Sequence, residues 1–253
     1  MTLAHILLLL VAGFLGGTMN AIAGGGSFAT FPAMIFIGMP SVAANASSTV
    51  ALLPGGMTSA WAYRFDLRPV GGIGLAPMLA ASVAGGLTGA LLLLNTPSHA
   101  FDVMIPWLLA LASLAFLFGG RAGAALRRHL RIRPGPVLAV QYVLGIYGGY
   151  FGGAVGIMMM AAWSLLENVT LKALNPAKMV MVVAANAIAV VCFAVAGAVI
   201  WPATLVTLIA AIAGGYVGAR IGRFLPARLV RAVVLCVTIG MTAVFFWRVY
   251  GPA

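Results

Sequence analysis

The chain has 253 residues, of which 63% are apolar and only 7% charged, with a formal net charge of +11. An ordinary soluble domain carries about a quarter charged residues, so a soluble globular fold is excluded. The basic excess does not point to nucleic acid, because the fourteen Lys and Arg residues stand in short clusters between apolar segments, the pattern of loops that fix membrane orientation.

Ten hydrophobic segments are predicted, at about residues 3–22, 27–38, 41–62, 70–94, 103–120, 136–154, 157–170, 174–199, 202–222 and 228–248. No Asp, Glu, Lys or Arg occurs between Met1 and Tyr63, between Pro69 and Phe101, or between Pro134 and Leu166. A helix crosses the hydrocarbon core with about 20 residues. The expected fold is therefore all-α and polytopic. Segments 27–38 and 157–170 are short for full spans, and each follows a glycine-rich stretch. They read as half-helices or re-entrant segments, tolerated in lipid only where protein shields them or a cavity adjoins them. The N-terminus shows no basic n-region or small-residue cleavage site, so no signal peptide is expected. Cys192 and Cys236 fall in apolar stretches and read as buried thiols rather than a disulfide or metal site.

The basic residues set an expected orientation. Four clusters stand out: Arg64 and Arg68; Arg121, Arg127, Arg128, Arg131 and Arg133; Lys172 and Lys178; and Arg220, Arg223, Arg228 and Arg231. With these on the cytoplasmic side, the connections near Met39, 95–102 and Trp201 face outward and carry no Lys or Arg, leaving only Arg248 outside. That is the positive-inside pattern. It puts both termini outside and gives the two halves opposite orientations. The expected division is a first transmembrane repeat over 1–120, a basic cytoplasmic linker over 121–135 and a second repeat over 136–253, together forming one membrane domain.

The halves also repeat in sequence. Gly13, Gly16, Gly17 and Gly24 recur as Gly145, Gly148, Gly149 and Gly156, each 132 residues later. Asn45 recurs as Asn175, 130 later, and Ala84-Gly85-Gly86-x-x-Gly89-Ala90 recurs as Ala213-Gly214-Gly215-x-x-Gly218-Ala219, 129 later. Inverted repeats mark secondary transporters, with the site near midplane where broken helices meet. Trp61, Trp107, Trp201 and Trp247 fall near segment ends, as interfacial anchors do, while Trp163 lies inside a short segment.

The break Ala23-Gly24-Gly25-Gly26-Ser27 followed by Pro32, and the run Gly145-x-x-Gly148-Gly149-x-x-Gly152-Gly153-x-x-Gly156, resemble the TauE/SafE family of sulfite exporters, within the toluene-sulfonate uptake permease superfamily. The two-repeat layout extends the resemblance over nearly the whole chain. The resemblance implies transport of sulfite, sulfonates or other small organosulfur anions across the bacterial inner membrane. The sequence departs from the family pattern in its second half, where Gly156-Ile157-Met158-Met159-Met160 stands in place of a glycine triplet and a proline.

An unwound glycine stretch leaves backbone N–H groups unpaired, and a helix starting there presents a positive dipole end. Such an end binds anions. Gly24, Gly25, Gly26 and Ser27 are therefore the first candidates for substrate contact, with Gly152, Gly153 and Gly156 in the matching place. The alternative is that these glycines only permit a tight break or close helix packing. Asn20, four residues before the break, offers an amide to a sulfonate or to a freed carbonyl. Asn45, Ser47, Ser48 and Thr49 cluster at the start of segment 41–62, with Asn175 and Lys178 in the corresponding places; packing is the competing role for the hydroxyls. Lys178 could be balanced by a transported anion or could snorkel to cytoplasmic water. Asn186 lies two turns deeper and could bond a neighbouring helix or the substrate.

Acidic and imidazole groups are few. Asp66 lies in a basic loop, Asp102 in an outer connection and Glu167 near a segment end. His5 and His99 are outer, and His129 is in the basic linker. None is plainly a midplane proton carrier, so facilitated flux, proton coupling through Glu167, waters or a protonatable substrate, and sodium held by unwound carbonyls all stay open. No cofactor is implied, and the oligomeric state is not legible. A membrane enzyme or redox relay would need His, Cys, Asp or Glu gathered at one depth, and the sequence offers no such set. The expected function is a secondary carrier of a small sulfur-containing anion. An anion channel lined by the same breaks and a carrier of a small carboxylate are the alternatives.

Overall fold

The computed structural model describes residues 1–22, 24–70, 72–126, 134–153, 155–163, 171–221 and 227–251. Within them the chain forms ten helices: α1 (Leu3–Ile22), α2 (Ser27–Phe36), α3 (Ser41–Ala62), α4 (Leu75–Leu94), α5 (Ser98–Leu126), α6 (Pro134–Phe151), α7 (Val155–Trp163), α8 (Leu171–Val195), α9 (Trp201–Ile221) and α10 (Ala227–Tyr250). Five of the described helical stretches are long and apolar enough to cross a bilayer: Leu3–Ile22, Leu75–Leu94, Ser98–Ala115, Ala173–Val195 and Trp201–Gly218. The chain is an all-α polytopic membrane protein.

The helices follow the predicted segments, with local differences. The fourth helix starts at Leu75 rather than 70, because Val70 and Ile73 exchange backbone hydrogen bonds of 3.1 and 3.0 Å around Gly72 at φ +73°. α5 is longer than expected. It starts directly after Pro97 and continues through Leu126, into the stretch expected as a linker. Arg127, Arg128, His129, Arg131 and Arg133 of that linker, with Ala23, Glu167 and Arg223, lie outside the described residues. Cys192 and Cys236 are free, but Cys236 is exposed rather than buried, on the apolar surface that a membrane helix shows to lipid. Trp61, Trp107, Trp201 and Trp247 are exposed, the placement expected of side chains at the headgroup level.

The packing is built from small residues. The glycine blocks shared by the two halves are the contact surfaces between them. Gly13 and Gly17 of α1 lie against Thr207 and Ala211 of α9, and Gly214 and Gly218 of α9 lie against Phe14 and Thr18 of α1. Gly85 and Gly89 of α4 meet Gly145 and Gly149 of α6 in the same manner. Backbones approach so closely that any Cβ would overlap the facing chain. Small-residue stripes permit this, and in lipid, where burial gives no drive, such packing is a main source of helix association.

Each half therefore lays its first helix on the fourth helix of the other. The remaining contacts follow the same exchange. α3 packs on α9 as α8 packs on α4, α1 meets α2 and α3 as α6 meets α7 and α8, and α3·α8 and α5·α10 map onto themselves. Two pairs break the match among the described residues: α5 runs along α7 over a longer stretch than α10 along α2, and α3 meets α5 with no comparable contact of α8 with α10.

Candidate functional site

The first break is a helix end closed by a left-handed residue. The Gly24 N–H donates back to the carbonyls of Met19 and Asn20, at 3.1 and 3.0 Å, with Gly24 at φ +84°. A residue at this φ costs about 1–2 kcal/mol with an L side chain, which is why glycine ends α1 here. Three residues later α2 starts, and no side chain caps its N-terminus. The Phe28 and Ala29 amides of its first turn donate to the Gly25 and Gly26 carbonyls, at 3.2 and 3.1 Å, so what this helix end offers an anion is chiefly its positive dipole.

The second break repeats this with a different glycine. The sequence match pairs Gly24 with Gly156, but the left-handed residue in the second half is Gly152, at φ +73°. Gly156 is already inside α7. The glycine spacing was misaligned by one turn because glycines recur in this stretch at nearly helical intervals.

The two breaks meet. A Cβ placed on Gly153 would stand 3.1 Å from the Ser27 hydroxyl, and one on Gly152 would stand 3.1 Å from Thr49 Oγ1. Between them lies a cavity of about 40 Å³. Asn20, Gly24 and Ser27 line it from the first break, and Gly152 and Gly156 from the second. The walls are α3 and α8. Thr49, Leu52, Leu53 and Gly56 face Met179, Val182, Val183 and Asn186. These two sets differ by a constant 130 positions, the spacing that relates Asn45 to Asn175. At 1.5 Å per residue, Thr49 and Gly56 lie about 12 and 22 Å into α3, and Lys178 and Asn186 about 10 and 22 Å into α8. The cavity therefore sits near the middle of both helices.

Lys178 supplies the only charge among the lining residues. It is 3% exposed, so it does not reach an aqueous helix end. Its stem crosses Gly156, where a Cβ would lie 3.1 Å from Cδ, and its ammonium points at the first break, with Nζ 3.9 Å from a Cβ on Gly24. Among the described residues it has no carboxylate partner, since Asp66 and Asp102 are both exposed. A buried ammonium is costly unless an anion balances it. Asn186 adds an amide to the same cavity, and its Oδ1 is buried without a hydrogen-bond partner.

The other sequence candidates stand behind the cavity. Gly25 and Gly26 are buried, and Gly26 is pressed against the Gly16 carbonyl and the Asn20 Cβ, a packing role. Asn45 is 1% exposed, and its Nδ2 donates to the Tyr150 carbonyl at 2.9 Å, tying α3 to the end of α6. Its Oδ1 has no partner. Ser48 shares a 2.6 Å hydrogen bond with Thr30, tying α3 to α2, and the Ser47 hydroxyl accepts the Ile200 N–H at 3.0 Å. Gly153 is buried beside Ser27. Asn175 is half-buried and does not line the cavity. The apolar wall residues carry no polar signal of their own in the sequence; the 130-residue spacing carried through α3 and α8 is what connects them. No group of three or more His, Cys, Asp or Glu able to hold a metal occurs among the described residues.

Comparison with known proteins agrees with this architecture. The profile of the sulfite exporter TauE/SafE family matches residues 9–245. A "probable membrane transporter protein" of Haemophilus influenzae is 31% identical over 237 residues, covering 93% of this chain and 92% of that protein. The "probable membrane transporter protein ORF9" of a Sinorhizobium species is 29% identical over 94% of this chain and 91% of its own. The "probable membrane transporter protein YfcA" of Escherichia coli K12 is 27% identical over 94% of this chain and 88% of its own. No solved structure matches. With residues 9–245 matched, from within α1 to within α10, this multi-pass membrane protein belongs to the TauE/SafE sulfite exporter family of membrane transporters.

Proposed function

We propose that the chain is a secondary carrier of a small sulfur-containing oxyanion, bound where the two helix breaks meet. The observation that supports this best is Lys178, an ammonium 3% exposed at mid-helix and aimed at the uncapped start of α2. An anion there is held by the ammonium, by the Ser27 hydroxyl and by the positive end of α2, while the Thr49 hydroxyl, which donates to the Asn45 carbonyl at 2.9 Å, shapes the wall. Asn20 and Asn186 flank it. A volume of about 40 Å³ holds a few water-sized groups, since one water needs about 10–15 Å³ on this measure. A compact oxyanion fits better than an aryl sulfonate.

The exchange symmetry of the packing supports two repeats, 1–120 and 136–253, joined by the basic stretch 121–135. Lys178, buried at the cavity, drops out of the cytoplasmic count; with the other residues of the four basic clusters cytoplasmic, the repeats have opposite orientations and both termini face the periplasm of a bacterial inner membrane. Alternating access then rocks one bundle against the other about the shared cavity. Coupling to protons or sodium is tested by the same flux assay under imposed gradients.

Flux in proteoliposomes decides the reading. Saturable, trans-stimulated uptake of sulfite or a small sulfonate, lost in Lys178→Ala and kept in Arg128→Ala, is expected. Non-saturating currents would replace the carrier by a channel, and equal small losses in both variants would remove Lys178 from the site. Labelling of single cysteines should reach position 99 from outside and position 129 from inside; the reverse pattern would break the orientation.

A further inference from the structure

The packing mismatch between the halves leaves a groove. Where α5 runs along α7, α10 meets α2 over a shorter stretch that includes the stacked Phe31 and Phe245 rings, 5.8 Å between centroids, and a cleft of about 800 Å³ opens between α1, α2 and α10. Its walls are apolar, with Val11 and Leu15 on α1, Pro32 and Phe36 on α2, and Met241 and Val244 on α10. Arg248 is the one charged residue that lines it. Arg248 is exposed, and no carboxylate is paired with it among the described residues.

The dimensions identify an occupant. From Arg248 back to Val237, α10 follows the groove for eleven residues, about 16 Å at 1.5 Å per residue. One leaflet of hydrocarbon is half of about 30 Å. The groove is therefore about one acyl chain deep, apolar along its length and basic at one end only. A second copy of this chain would offer its long outer helices, which cross both leaflets and would not end at the bilayer centre, because the short α2 and α7 are largely buried in the fold.

We propose that the groove is a binding site for an anionic phospholipid, with one acyl chain lying between α1, α2 and α10 and the phosphate held by Arg248. Guanidinium suits this task because its planar donors match phosphate oxygens in pairs. The chain takes the place that α5 occupies in the other half. It ends against Phe28, next to Ser27 of the cavity, so the lipid braces the first break from behind.

The test uses the full-length protein in detergent and in nanodiscs. Phosphatidylglycerol should raise its melting temperature more than phosphatidylcholine with the same chains, and lipid analysis of the purified protein should find phosphatidylglycerol retained. Arg248→Gln should weaken the preference by about fivefold, the effect of one basic residue at a membrane surface. Val244→Trp, which fills the groove from an exposed position, should abolish retention while the protein still elutes as a folded species. Equal stabilisation by the two lipids would overturn the proposal. So would equal stabilisation by glycerophosphate lacking acyl chains, or efficient disulfide formation between copies carrying Val11→Cys and Val244→Cys, which would show a second copy in the groove.

Discussion

The two helix breaks share a backbone plan and differ in what surrounds them. Each ends a long helix at a left-handed glycine, Gly24 or Gly152, and each starts a short helix three residues later. The first break faces a cation, Lys178. The second faces a hydroxyl, Thr49. The short helices are also held differently. At the end of α7, Trp163 is 1% exposed and its Nε1 donates to Gln141 Oε1 at 3.0 Å. Gln141 Nε2 in turn donates to the Ser82 hydroxyl at 2.8 Å. This buried network locks α7 to α6 and α4. Across the exchange of halves, α2 ends in apolar residues and faces an open groove. α7 is fastened at its C-terminal end by polar bonds, whereas α2 is held midway, by the Thr30–Ser48 bond and the Phe31–Phe245 stack, and starts beside the ammonium. The backbone geometry occurs twice, and the buried cation points at one of its two copies.

If that division of labour holds, the largest effect falls on the charge. Lys178→Ala should lower anion affinity by about 2–5 kcal/mol, the range for losing one member of a buried charged pair. Ser48→Ala, at the corresponding place in α3, should leave affinity nearly unchanged. Thermal-shift titration with small anions reads both, since a ligand stabilises the folded state it binds. Equal losses would show that the asymmetry is not functional.

Next comes the shared backbone. Gly24→Ala and Gly152→Ala should each cost about 1–2 kcal/mol, because both place an L side chain in the left-handed region. Only at Gly152 would the new methyl also crowd Thr49 Oγ1, at 3.1 Å. Thr49→Ala should therefore partly rescue the Gly152 variant and leave the Gly24 variant unimproved, as read by melting temperature.

The clamp is expected to matter at a similar scale. Trp163→Phe strands the Gln141 carbonyl oxygen and should destabilise the protein by about 1–3 kcal/mol, the cost of a buried polar group without a partner. Ile35→Val, near the end of α2, should cost only about 0.5–1.5 kcal/mol. Urea or thermal unfolding in detergent compares them; an equal pair would mean that α7 is no better fastened than α2.

The smallest effect on stability is expected at Asn186. Its Oδ1 already lacks a partner, so Asn186→Leu should leave melting nearly unchanged while altering anion affinity. A marked loss of stability with unchanged affinity would assign Asn186 to helix packing instead.

Much of this was legible from the sequence, for definable reasons. Membrane location followed from composition, and the helices from apolar runs measured against bilayer thickness. The glycine blocks around Gly13, Gly85 and Gly214 were visible as repeats, because a helix surface that meets another backbone must stay small over consecutive turns. The roles of single glycines were not. Gly24, Gly26 and Gly156 look alike in sequence, yet one turns the chain, one packs against a carbonyl and one supports the Lys178 stem. The polar cluster of α3 likewise mixed two kinds of group. Thr49 faces the cavity, while Asn45, Ser47 and Ser48 bind neighbouring helices.

The sequence by itself determined that the chain lives in lipid, which stretches form helices, and that each half breaks within a glycine-rich stretch. These are local properties, fixed by the fit of a short window to hydrocarbon and by the torsional freedom of glycine. Only the tertiary structure decided that the breaks meet and that Lys178 points at the first of them. It also decided that the halves are packed through each other's helices, with a groove left on one side. Those facts depend on the approach of segments more than a hundred residues apart, and that approach is set by shape and close packing, which no local window of residues contains.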